Sequence, residues 1–204
     1  MQRKRFNIAV FFMMFICAVH CVIAEEPNSE DDFVVELTSD MEGARIIKYV
    51  GKSPNVIIPD MIQGLPVLEV GDFFCGLNGA KKNKTIKRIV CPDTVRAIGG
   101  LSGYEALESV VLPASLEKIA NASISTSKTC GMFEGCKSLK SINLPASIRR
   151  IEKDSFKGCA ALTDMEIPEE VVIKCDFAET AFTGTNLKLI TQSKLRKLGY
   201  RGRF

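Results

Sequence analysis

One apolar pattern recurs along the chain and restricts it to a stacked architecture. Leu139-Lys140-Ser141-Ile142-Asn143-Leu144-Pro145 and Leu162-Thr163-Asp164-Met165-Glu166-Ile167-Pro168 place every apolar residue 23 positions apart. Leu107 to Pro113 and Ile86 to Pro92 have the same form, and Pro59 follows a shorter relative built on Val56 and Ile58. The gaps between these prolines are 33, 21, 32 and 23 residues. They reduce to one period near 23 once insertions of nine or ten residues are admitted near 77–84 and 121–130. A second half-unit recurs between them: Leu112-Pro-Ala-Ser-Leu116-Glu-Lys-Ile119 matches Leu144-Pro-Ala-Ser-Ile148-Arg-Arg-Ile151. These lead to the corners Phe133-Glu-Gly-Cys136 and Phe156-Lys-Gly-Cys159, with a degenerate copy at Phe182-Thr-Gly-Thr185.

A period of about 20–30 residues means a solenoid, because a single coil cannot bury its own apolar positions and must hide them against its neighbours. The L-x-x-I-x-L segment gives a short parallel strand, stacked about 4.8 Å from the next. Proline ends it, lacking the N–H that a ladder needs. Phe fills the interior and Gly permits the tight bend. The reading is therefore a solenoid of about five coils over residues 56–190, repeat α/β to mainly β. Two alternating segments around Asp40-Met41-Glu42-Gly43 give a β-hairpin cap over 33–55.

Residues 1–24 carry a basic Arg3-Lys4-Arg5, an apolar run from Ile8 to Val19, and Val22-Ile23-Ala24 before Glu25, the order of a secretory signal peptide. The apolar run is short for a membrane span and His20 interrupts it, so no membrane span is expected after cleavage. The chain has 27 bases against 24 acids, and those three N-terminal bases are the whole excess. The remainder is neutral and offers no global positive field for nucleic acid. Residues 25–32 hold five acids and no base, read as a solvated acidic leader, and 191–204 form a basic C-terminal cap or tail. Within it, Ser193 to Leu198 can open a short helix over the final coil.

Export bears on the cysteines. Six follow the signal: Cys75, Cys91, Cys130, Cys136, Cys159 and Cys175. An even count in an exported chain fits a disulfide framework, whereas a core of this size needs no staples and free Cys is commonly buried. For Cys136 and Cys159, on equivalent corners with side chains pointing the same way, the spacing favours a buried thiol ladder over a bridge.

The repeated unit resembles the BspA-like, or treponemal-type, leucine-rich repeat. The lead-in Ala44-Arg-Ile-Ile-Lys-Tyr49-Val-Gly51, then Asn55 to Pro59 and Gly64 to Gly71, is similar to that family's first repeat with its capping strands. The resemblance covers about residues 44–190. It implies an exported protein (cell-surface, secreted or periplasmic) that binds a host or envelope protein, with adhesion as a specialisation, and it implies no catalytic residues. The chain departs from the pattern where Leu101-Ser-Gly-Tyr104 replaces the Phe-Gly-Cys corner, at the two insertions, and at the last corner, which lacks its Cys.

In the strands, the residues flanking the central apolar position point outward. Coil by coil these are Asn55 and Ile57, Arg88 and Val90, Ser109 and Val111, Ser141 and Asn143, Asp164 and Glu166, then Leu189 and Thr191. Concave solenoid faces bind extended ligands, so Ile57, Arg88, Val90, Ser109, Val111, Ser141, Asn143, Asp164 and Glu166 form the candidate partner-binding face. The same row also reads as a solvated sheet face of ordinary valine content. The insertions are a second candidate, each with a sequon, at Asn83 and at Asn121. A structural envelope component that self-associates through open solenoid edges is the alternative of a different class.

An enzyme is not expected. Once His20 is removed no histidine remains for Ser-His-Asp or Cys-His systems or for a His-ligated metal, and there is no C-x-x-C or phosphate loop. No cofactor or metal is expected either. Nothing singles out a carboxylate pair for glycoside hydrolysis: Asp164 and Glu166 share one strand, and Glu169-Glu170 follow a turn proline.

Overall fold

The computed structural model describes residues 25–71, 84–119, 122–125, 128–168 and 176–204. The signal segment, most of the first insertion with Asn83, and Cys75, Asn121, Glu169, Glu170 and Cys175 lie outside the described residues. In chain order the strands are β1 (Phe33–Leu37), β2 (Ala44–Tyr49), β3 (Asn55–Ile57), β4 (Met61–Ile62), β5 (Leu65–Val70), β6 (Arg88–Val90), β7 (Ala97–Ile98) and β8 (Ser109–Val111). They continue with β9 (Lys118–Ile119), β10 (Ala122–Ser125), β11 (Lys128–Cys130), β12 (Ser141–Asn143), β13 (Arg150–Ile151), β14 (Asp164–Glu166) and β15 (Asp176–Phe177). A single α-helix among the described residues, α1 (Leu189–Lys197), follows.

The repeated tripeptides form one five-stranded parallel sheet in the order β14-β12-β8-β6-β3. Its register pairs equivalent residues, Val56 with Ile89, Ile89 with Val110, Val110 with Ile142, and Ile142 with Met165. All five are buried, forming the interior rungs. Opposite them, β9, β13 and β15 pair in parallel, while β7 pairs with β5. The first hairpin is antiparallel β1–β2, and β2 continues in parallel onto β5. The second insertion carries its own antiparallel hairpin, β10–β11.

Each coil is locked to its neighbour at three recurrent points. At the corners, Gly103, Gly135, Gly158 and Gly184 all have φ between 71° and 78°, a conformation that glycine adopts without the Cβ penalty. The amides of the first three donate one coil onward: Gly103 to Glu134 O, Gly135 to Lys157 O, Gly158 to Thr183 O, at 2.8–2.9 Å. Inside, Phe133, Phe156 and Phe182 stack with centroids 5.2 and 5.3 Å apart. On the way out of the strand, the hydroxyl of Ser147 donates to the preceding coil's Ala114 and Leu116 carbonyls, each at 2.7 Å. The Leu101-Ser-Gly-Tyr104 corner departs from the repeat in its letters and keeps its geometry, with Tyr104 fully buried where other coils place Cys. Cys91, Cys136 and Cys159 are free and buried. The Cys136 thiol donates to Leu101 O at 3.2 Å and that of Cys159 to Phe133 O at 3.0 Å, each reaching the neighbouring corner.

The last coil corrects the strand expectation for Leu189 and Thr191. The Lys188 amide still donates to Thr163 O (2.9 Å), so the ladder reaches that residue, but the chain then turns into α1 four residues before Ser193. Leu189 is exposed, and Thr191 is buried with its hydroxyl on Asp164. Tyr200 then packs edge-on against Phe182, centroids 4.9 Å apart, and closes the aromatic stack.

Candidate functional site

The parallel register brings the nine candidate residues onto one face. One row runs Arg88, Ser109, Ser141, Asp164, in line with Asn55; the other runs Ile57, Val90, Val111, then Asn143 and Glu166. Five strands span about 19 Å across the rungs. Ile57, Val90 and Val111 are half-buried, whereas Ser141, Asn143 and Glu166 are exposed. An apolar half and a polar half therefore share the sheet. Over its polar half lies an open groove of about 720 Å³, from Arg88 to Ile167.

Two of the charged candidates are engaged within the chain. Arg88 forms an ion pair with Glu25 of the acidic leader. Asp164 receives the Lys188 ammonium at 3.0 Å, the Thr191 hydroxyl at 3.1 Å and the Met165 amide at 2.9 Å. Those bonds, led by Lys188, hold its carboxyl below the ordinary carboxylate range. Glu166 has no side-chain partner among the described residues and is exposed on this face. The groove also gains a wall that strand periodicity did not reveal: Lys194, from the exposed side of α1. Its basic segment was legible, but only the turn after Lys188 carries it to the groove.

Both edges of the sheet are occupied. At β3, the Asn28 side-chain oxygen accepts from the Ile57 amide (2.7 Å) and the Asn28 amide donates to the Ile57 carbonyl (2.9 Å). The acidic leader is exposed, as its composition suggests, yet it lies hydrogen-bonded along this edge. At β14, strand alternation turns the Met165 amide outward, where the Asp164 carboxylate takes it. Among the described residues no group of three or more His, Cys, Asp or Glu side chains could hold a metal ion. No helix among them is long and apolar enough to cross a membrane.

Comparison with known families and structures fits this geometry. The family described as BspA type leucine rich repeat region matches residues 78–201 in six copies. A leucine-rich repeat protein of T. pallidum is 24% identical with a TM-score of 0.51, over 88% of this chain and 99% of its own. One from Bacteroides ovatus is 22% identical with a TM-score of 0.50, over 80% of this chain and 41% of its own. A leucine rich cell surface protein of Faecalibacterium prausnitzii is 21% identical with a TM-score of 0.49, over 80% of this chain and 48% of its own. At these identities the likeness to the first two shows the fold alone. No curated protein matches the chain.

Proposed function

The chain belongs to the BspA-type leucine-rich-repeat family, and from that premise we propose that it is an exported, non-enzymatic recognition protein of the cell surface or envelope. Its ligand is another protein, bound across the parallel sheet, with adhesion to a host or neighbouring cell as the specialised form of that task. The signal-like order of residues 1–24 supports export.

The observation that carries the reading is the in-register face itself. Ile57, Val90 and Val111 give an apolar strip, and Asn143, Glu166 and Lys194 give polar and charged groups beside it. A rigid sheet loses little freedom on binding, so modest contacts suffice for useful affinity. An extended segment with apolar side chains at one end and a basic group near Glu166 matches that order.

The test is a double substitution, Val90→Glu with Val111→Glu. Both residues are half-buried on the open face, so the fold is expected to survive. A protein retained by the immobilised chain should be lost with this variant and kept with Lys153→Glu, an exposed turn position. Equal retention by both variants would move the binding site to the insertions. Assembly through strand pairing, the second reading, has the occupied β3 and β14 edges against it.

A further inference from the structure

The chain is electrically neutral beyond residue 24 but strongly bipolar. Residues 25–50 hold eight acids and two bases; residues 185–204 hold six bases and no acid. Between them, residues 51–184 balance at 16 of each sign. The sheet order puts the two charged segments at opposite ends of the stack, the leader on β3 and α1 beyond β14. The strands they dock on lie roughly 19 Å apart, about twice the Debye length in physiological salt, so one end does little to neutralise the other within one molecule.

The same two ends carry the exposed oily surface. Every exposed large hydrophobic side chain among the described residues falls within 34–61 or at 189–190. Met41 is 75% exposed, Leu37 53% and Val50 49% at one end; Leu189 is 82% and Ile190 67% exposed at the other. The described residues of the coils between them show none. Opposite charge together with exposed apolar side chains, which among the described residues occur at the two ends alone, describes a complementary pair of surfaces.

From this we infer that copies of the chain associate head to tail, the acidic hairpin end of one against the basic α1 end of the next. The contact is made by side chains, since the β3 and β14 backbone edges are already occupied. An interface joining two different patches of the same molecule does not close on itself unless its rotation happens to, so it extends into a row. Such a row leaves the parallel sheet of each copy open and repeats it along its length, which raises avidity for any repetitive ligand. The inference does not rest on the recognition reading and would stand without it.

Sedimentation of the purified chain across a concentration series tests it. At low ionic strength the average sedimentation coefficient should climb with concentration; in about 1 M salt, with a Debye length of about 3 Å, it should fall to that of the monomer. Two variants each neutralise one end at exposed positions: Glu26→Gln with Asp31→Asn, and Lys197→Gln with Arg201→Gln. Each alone should associate at least about tenfold more weakly. Mixed in equal amounts they retain one native end apiece, so they should form a pair and stop there. A chain that stays monomeric at low salt, or associates regardless of salt, overturns the proposal, as does a mixture that fails to pair. Phosphatidylglycerol vesicles form the last arm: binding to them by the basic end without any self-association would assign that end to lipid and overturn it too.

Discussion

The rings of Phe156 and Phe182 lie 5.3 Å apart with their planes within 4° of parallel, although 26 residues separate them in the chain. Phe133 stacks on the other side at 5.2 Å, so Phe156 is the middle member of an aromatic column through the interior. Its side chain is fully buried, and the coils on either side are themselves fixed by their corners. The site therefore cannot collapse easily around a void. Phe156→Ala should cost about 3–5 kcal/mol by urea unfolding. A loss below about 1 kcal/mol would mean that the column contributes little to holding the coils together.

The buried thiols are predicted to be inert in the folded protein. Burial pushes Cys91 and Cys136 up to about 12, and drives Cys159 upward as well, with the neighbouring Cys136 adding to it. The thiolate is the reactive species, and near pH 8 almost none is present at these sites. Alkylation of the native chain, mapped by mass spectrometry, should leave Cys91, Cys136 and Cys159 unmodified, and denaturation should label all three. Rapid native labelling at Cys159 would show that its corner opens.

The register of the sheet was legible because proline marks the same point in every coil. The proline gaps of 33, 21, 32 and 23 are also the spacings of Asn55, Arg88, Ser109, Ser141 and Asp164, which the sheet aligns. The corner at Gly103-Tyr104 was harder to read, since its backbone follows the repeat while its side chains do not: a large Tyr occupies the slot of a small Cys. The state of the charged face residues carried no local signal at all. Arg88 meets Glu25 and Asp164 meets Lys188 only because both ends of the chain fold back onto the sheet edges. The first contact joins residues 63 positions apart and follows no period; the second spans 24, about one coil, but the expected strand placed Leu189 and Thr191 beside Asp164 and gave Lys188 no role on the face.

The corner glycines separate conformational cost from crowding. Gly158 has φ 71°, and a Cβ built on it would meet only the Gly135 backbone at 3.9 Å, an ordinary contact. Gly158→Ala should therefore lose about 1–2 kcal/mol from the left-handed backbone alone. Gly158→Asn should lose less, because Asn tolerates that region. At Gly202 the difficulty is space: a Cβ would fall 1.6 Å from the Glu179 carbonyl oxygen. That carbonyl also accepts from the Tyr200 hydroxyl at 3.0 Å, so Gly202→Ala should loosen the aromatic closure after α1. Hydrogen exchange reads the difference. Faster exchange confined to α1 and the residues after it is expected for Gly202→Ala and not for Gly158→Ala.

Acid should release α1 before it unfolds the coils. The carboxylate of Asp164 holds the helix through Lys188 and Thr191 while taking the outward Met165 amide, and its pKa lies below the ordinary value of about 3.9. A group depressed in the folded state stabilises it above the unfolded pKa, and that stability is lost as the pH falls through the lower, folded value. In the native chain, exchange protection of Leu189–Lys197 should be constant above about pH 5 and decline steadily below about pH 4. Asp164→Asn keeps the size of the side chain but loses the charge that Lys188 answers. Its α1 should exchange faster than native at neutral pH, and the two proteins should converge as the acid limit is approached. Parallel profiles at all pH values would show that some other carboxylate governs the release. Unchanged exchange in the variant would mean that Leu195 burial, rather than this latch, holds the helix in place.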